Sequence, residues 1–212
     1  MQGFFTMRTA GGLPASRIVP YFRQARWTLA VCLALLPASE TFATSPNRSP
    51  FLVPKFQTDP PNGAVDLCVR YKWACSANQT IWRFDKNVLK MVRKVNRNVN
   101  RSVRYIEDLR QYGRSEYWTL PTRKGGDCED IALLKKATLL ERGVPPQALL
   151  VATVLDNKRR NHAVLVLRTD AGDYVLDSAN NRVRLWSNTR YKFLKMQDPN
   201  APDRWQAVLA SG

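Results

Sequence analysis

From Asp85 to Leu109 the apolar residues fall at Val88, Met91, Val92, Val95, Val99, Val103 and Ile106, a three-and-four spacing that predicts one long amphipathic helix. Its other face is basic, carrying Lys90, Arg93, Lys94, Arg97, Arg101 and Arg104. The simplest reading of that face is exposure to solvent. No aromatic residue interleaves with these charges to stack on bases, so nucleic acid is not an expected partner. Tyr112 to Lys124 is polar and aromatic without a period, a loop. Asp127 then stands where a helix cap belongs, and CEDIALLKKATLLER runs to a stop at Gly143, reinforced by Pro145 and Pro146. The pattern changes again in ALLVATVL (148–155), a continuous apolar run of strand length. HAVLVLRT (162–169) and YVLDSA (174–179) follow as two further strands, joined through Asp170-Ala171-Gly172-Asp173. Helices first and an antiparallel sheet after them make the fold class α+β. Thr44 to Asp66 is rich in Pro, Ser and Asn and reads as an extended lead-in.

The N-terminal stretch differs from the rest. Arg8, Arg17, Arg23 and Arg26 precede the ten-residue apolar run WTLAVCLALL (27–36), which leads to Pro37 and Thr41-Phe42-Ala43. A positive flank, a short apolar core and a small residue at the end are the layout of a secretory signal cleaved near Ala43. A membrane anchor needs about 20 apolar residues. The expected organisation is therefore a signal over 1–43, the lead-in over 44–65, and one domain over 66–212 in a periplasmic or otherwise exported protein. The whole chain has 212 residues and a net charge of +16. Without residues 1–43 it keeps 29 basic and 16 acidic residues, still +13. Such an excess favours anionic partners without choosing among them.

Loss of Cys32 with the signal leaves Cys68, Cys75 and Cys128. An odd count in an exported chain means one pair and one thiol over. Cys68 and Cys75, in CVRYKWAC, are the natural pair, and Cys128 is left free. It sits in GGDCED (125–130), in the first turn of the second helix. Unpaired N–H groups and the macrodipole favour a thiolate there and can hold an oxyanion. Gly125 and Gly126 leave room for a substrate backbone to approach. The chain has a single histidine, His162, at the head of a strand, which is the expected proton shuttle. Asp177 in the next strand is the best-placed group to orient it. A hairpin turning at Ala171-Gly172 puts it too far away; a turn nearer Thr169-Asp170, or a bulge, brings it close. The periodicity does not decide between these registers.

GGDCEDIALLKKATLLERGVP and NHAVLVLRTDAGDYVLDSANNRVRLW (125–145 and 161–186) resemble the bacterial transglutaminase-like cysteine peptidases, a periplasmic branch of the papain and transglutaminase fold. The resemblance covers about residues 66–205 and implies that fold, with a nucleophile helix packed on an antiparallel sheet. It implies Cys128 as nucleophile, His162 as general base and Asp177 as the orienting carboxylate, and it supports the pairing of Cys68 with Cys75. Tyr117 and Trp118 correspond to an aromatic pair bordering the cleft, expected to touch substrate. Asp127 and Glu129 correspond to calcium ligands, against the plainer reading of Asp127 as a cap and Glu129 as a complement to the helix dipole. Studied members of the family need calcium and release large surface adhesins by cutting between two alanines. An inner-membrane receptor restrains them. The implied partners are thus a protein substrate, of which a large surface adhesin is the type, and a regulatory receptor of that kind. The alternatives are the same triad acting in crosslinking or on cell-wall amides, and a binding protein without catalysis.

Overall fold

The computed structural model describes residues 49–78 and 82–212. The expected signal over 1–43 lies outside the described residues. Among those residues, no helix is long and apolar enough to cross a membrane.

Seven antiparallel strands form one sheet: β1 (Phe56–Thr58), β2 (Leu149–Leu155), β3 (Asn161–Arg168), β4 (Asp173–Asp177), β5 (Asn180–Leu185), β6 (Lys192–Gln197) and β7 (Trp205–Ser211). Their spatial order is β1-β7-β6-β2-β3-β4-β5. The central strands are apolar at nearly every position because both faces are covered. Leu149, Val151, Ala163, Leu165, Leu167 and Leu176 enter the core under the helices. Leu150, Ala152, Val154, Val164, Val166 and Val175 join Leu52, Phe193, Met196 and Val208 in a second core on the other face. The fold is α+β, as the order of elements predicts.

Four α-helices are described: α1 (Leu67–Arg70), α2 (Lys86–Ser102), α3 (Asp108–Tyr112) and α4 (Cys128–Leu140). In α2 the Asp85 carboxylate caps the start by accepting from the Val88 N–H at 2.8 Å. Its stripe buries Val92, Val95 and Val99, each worth roughly 1.5–3 kcal/mol of apolar transfer. The helix stops at Ser102, short of the Leu109 predicted from its period. Beyond it the backbone finds other partners. The Gly126 N–H donates to the Arg104 carbonyl and the Ile106 N–H to the Gly126 carbonyl, both at 3.1 Å. Tertiary pairing with the turn before Cys128 replaces another helical turn.

Helix α4 packs on β3 and β2 and against α2. It is covered almost all round, so it buries Glu129, Asp130, Lys135 and Lys136 beside its leucines. The lead-in supplies edge strand β1, paired with β7, and its Leu52 N–H donates to Asp173 Oδ2 at 2.7 Å. Cys68 and Cys75 form a disulfide with Cα atoms 5.4 Å apart. The loop they close holds Tyr71, whose hydroxyl meets Thr119 Oγ1 at 2.8 Å and accepts from the Leu120 N–H at 3.1 Å. The closed loop thereby steadies the segment that carries Trp118.

Candidate active site

Cys128 opens α4, where four backbone N–H groups have no helical partner. Gly125 and Gly126 deliver it, for a reason other than the one expected from sequence. Gly125 has φ of +135°, and a Cβ there would lie 2.0 Å from the Arg104 carbonyl oxygen. A Cβ on Gly126 would lie 2.6 Å from Asp130 Oδ2. The pair makes room for the protein's own backbone and carboxylate, not for a substrate.

Cys128 is the free cysteine among the described residues. Its sulfur accepts from the Ala163 N–H at 3.3 Å and lies 3.0 Å from Glu129 Oε2. Ala163 follows His162 in β3, so the strand end that holds the sulfur also carries the imidazole. Cys128, Asn161 and His162 line the same two clefts. His162 Nε2 meets Asp177 Oδ1 at 2.8 Å, both side chains being largely buried. That leaves Nδ1 as the ring nitrogen free to face a thiol.

Leu165 pairs with Leu176 and Arg168 with Asp173 across the β3–β4 hairpin. This register lies between the two weighed from sequence. Continued one residue past Leu165–Leu176, it brings Asp177 beside Val164, within side-chain reach of His162. Asp177 also accepts from the Ala179 N–H at 2.9 Å and from the Tyr191 hydroxyl at 2.6 Å. Burial pushes its acidity toward higher pH. The hydrogen bond and charge of His162 and the Tyr191 hydroxyl outweigh that and hold it below the usual carboxylate range. The Tyr191 ring stands edge-on to His162, with centroids 5.9 Å apart. Tyr191 was not singled out from sequence, where a tyrosine after Thr189-Arg190 carries no distinguishing pattern.

The two aromatic residues expected at the cleft separate. Trp118 lines it beside Cys128 and packs edge-on against Trp205. Tyr117 does not line the clefts that hold Cys128; its ring lies between the guanidinium groups of Arg70 and Arg114. The second cleft that holds Cys128 is lined instead by Tyr105, just beyond the end of α2. Burial and the nearby Cys128 and Asp127 push its hydroxyl up to about 12.

The acids also regroup. Asp108, Asp127 and Asp130 bring carboxylate oxygens within 4.8 Å of one another. Each is tied by one oxygen to a backbone N–H: Asp127 to that of Asp108 at 3.2 Å, Asp130 to that of Thr119 at 2.9 Å, and Asp108 to that of Tyr117. Each keeps its other oxygen buried and without a hydrogen-bond partner. Three buried carboxylates this close, each with one oxygen lacking a hydrogen-bond partner, could hold a cation, and all-oxygen donors suit a hard one. Glu129, expected there with Asp127, is outside this group and directed at the Cys128 sulfur. Asp108 stands 19 residues upstream of Asp127, and a local motif cannot report a neighbour that distant. Asp127 opens the helix but makes no side-chain capping bond.

Burial and mutual repulsion shift these groups toward their uncharged forms. Burial and then Asp127 push Glu129 up to about 9, and burial pushes Asp130 up to about 8. The Cys128 thiol is held well above its ordinary value, by burial first and by Glu129 next.

Among solved structures, calcium-bound LapG of Legionella pneumophila shares 25% identity, with a TM-score of 0.49 over 59% of this chain and 71% of that one. EGTA-treated LapG from the same organism shares 29% identity, with a TM-score of 0.45 over 51% of this chain and 62% of that one. No curated protein matches the chain. Residues 55–212, which include the cysteine, the histidine and every strand of the sheet, match the bacterial transglutaminase-like cysteine proteinases (BTLCP), so the chain belongs to that family of cysteine peptidases.

Proposed function

We propose that the protein is an exported, calcium-dependent peptidase that cuts a surface or periplasmic protein through Cys128, His162 and Asp177. The observation that carries this reading is the buried His162–Asp177 contact of 2.8 Å, set beside a sulfur held by the N–H of the next residue, Ala163. Asp177 accepts from Nε2 and fixes the ring, so Nδ1 takes the proton from Cys128. The sulfur then attacks the substrate carbonyl, and N–H groups at the start of α4 receive the oxyanion. The imidazolium returns its proton to the leaving amine, and water activated by the same ring hydrolyses the thioester. Tyr191 holds the carboxylate from the far side through its hydroxyl.

Asp108, Asp127 and Asp130 would hold the calcium. When bound it supplies positive charge that offsets the carboxylates around the sulfur and ties segments 105–108 and 117–119 to the helix start. Export agrees with the N-terminal signal pattern and with the Cys68–Cys75 disulfide, which is the bond of an oxidising compartment. A large surface adhesin is the substrate, and an inner-membrane receptor the regulator, that accompany this reading.

The test is cleavage of surface proteins shed by cells carrying the intact chain or Cys128→Ala. Shedding that persists unchanged in Cys128→Ala cells removes the nucleophile. Assaying the purified protein for amine incorporation as well as hydrolysis distinguishes a peptidase from a crosslinking enzyme.

A further inference from the structure

The two clefts that share Cys128 and His162 differ in the residues that line them and in charge. One runs past Trp118 and carries Glu116 and Glu129 against the single cation Lys195. The other runs past Tyr105, where Glu107 and the Asp156–Arg160 pair leave no excess of positive charge. Tyr105, 59% exposed, is also a wall of a third cleft of about 450 Å³. That cleft is lined by Arg104, Arg110, Arg123 and Lys124 and by no carboxylate. Among the described residues the ion pairs are Arg160–Asp156, His162–Asp177 and Arg168–Asp173, so none of these four cations is neutralised by a neighbouring acid.

Its position is set by the same contacts that set the cysteine. The Arg104 carbonyl accepts from the Gly126 N–H. Thr122 and Gly125 close the turn that carries Arg123 and Lys124, and Lys124 precedes Cys128 by four residues. The basic cleft and the nucleophile are thus parts of one braced unit.

From this we infer that the cleft beyond Tyr105 is a substrate-recognition site for an acidic segment, lying on one side of the scissile bond and set back from it. The inference rests on the peptidase reading for its meaning and deepens it by naming the substrate's chemistry. Four unpaired cations in a concave wall concentrate positive potential, which attracts and retains carboxylates. The acids of the opposite cleft repel the same residues, so the site also fixes the direction in which the chain is threaded.

The test uses quenched-fluorescent peptides with an Ala-Ala core in calcium-containing buffer. They carry a block of glutamates on the N-terminal or the C-terminal side, with glutamine blocks as controls. Glutamates on one side raise kcat/KM by about tenfold or more over the glutamine peptide at low ionic strength, and salt removes the gain. Arg123→Glu with Lys124→Glu abolishes the gain, read as the ratio of glutamate-peptide to glutamine-peptide kcat/KM within the variant. Arg93→Glu with Arg97→Glu, on the exposed face of α2, keeps the preference. Equal gains from both placements, or a preference that survives the Arg123/Lys124 change, overturn the inference, since overall charge then explains the effect. A second arm needs no turnover. Fluorescein-labelled glutamate peptide binds the Cys128→Ala protein more weakly once Arg123 and Lys124 are reversed, and unchanged binding also overturns the inference. Failure of every peptide to be cleaved counts against the peptidase reading, and the binding arm still decides this one.

Discussion

Asp177 reaches His162 diagonally across β3 and β4, from opposite Val164, and closes a 2.8 Å contact with Nε2. Such a contact survives only if the carboxylate is fixed, and Tyr191 and the Ala179 N–H fix it. Asp177→Asn is expected to lower kcat by roughly 10²–10⁴, with KM little changed. Tyr191→Phe removes one donor from a buried carboxylate, costs about 1–3 kcal/mol of stability and lowers kcat less than Asp177→Asn. Steady-state kinetics with thermal unfolding of each variant checks the order.

The proposed cation site gives Asp108 a part equal to that of Asp127. Asp108→Asn should weaken calcium binding by about tenfold or more, because it removes one of three converging charges. Glu129→Gln should weaken it less. Calorimetric titration ranks the two. EGTA should lower both activity and Tm of the unaltered protein, and excess calcium should restore them.

Gly126→Ala is expected to damage the cation site before it damages the fold, since the added Cβ meets Asp130 Oδ2 at 2.6 Å. Gly125→Ala forces a Cβ onto the Arg104 carbonyl at a φ of +135°, and should cost at least about 1–3 kcal/mol. Calcium affinity and denaturant midpoint, measured together, separate the two effects.

Lys135 and Lys136 are adjacent in α4, yet only one is satisfied. Lys136 Nζ donates to the Ala74 carbonyl at 2.6 Å and to Gln197 Oε1 at 2.8 Å, whereas Lys135 Nζ is buried without a partner. Burial lowers both to about 7. An unfolded lysine titrates near about 10.4, so between about 7 and 10 the unfolded chain holds more protons. Stability from these groups therefore rises with pH across that window and is flat below it. Lys135→Met should raise stability at pH 7 by roughly 1–3 kcal/mol and remove part of that slope. Lys136→Met should lower stability by about 1 kcal/mol. Denaturant unfolding at pH 6, 7.5 and 9 checks sign and window.

Much of the architecture was legible because it is local. The start of α4 beside Asp127, its end before Gly143 and the three apolar strand runs follow from spacing, capping and breaker residues. The later strands are shorter or more polar, and β5, with its four arginine and asparagine positions exposed or half-buried, has no clean alternation to read. The period of α2 ran on through Val103 and Ile106, but the chain left the helix at Ser102 to bond Gly126. Propensity yields to a tertiary hydrogen bond when both conformations bury the same apolar side chains.

Residue types and local spacing supplied the chemical inventory: a cysteine at a helix start, a single imidazole, a carboxylate in the adjoining strand and a crowd of acids beside the cysteine. Those are matters of residue type and of spacing within single elements. Only the tertiary structure decided the hairpin register that brings Asp177 to His162. The same long-range packing gathers Asp108 and Asp130 around Asp127 and puts Tyr105 in a cleft with Cys128. Each depends on contacts between segments far apart in the chain, where a shift of one residue turns a side chain to the opposite face.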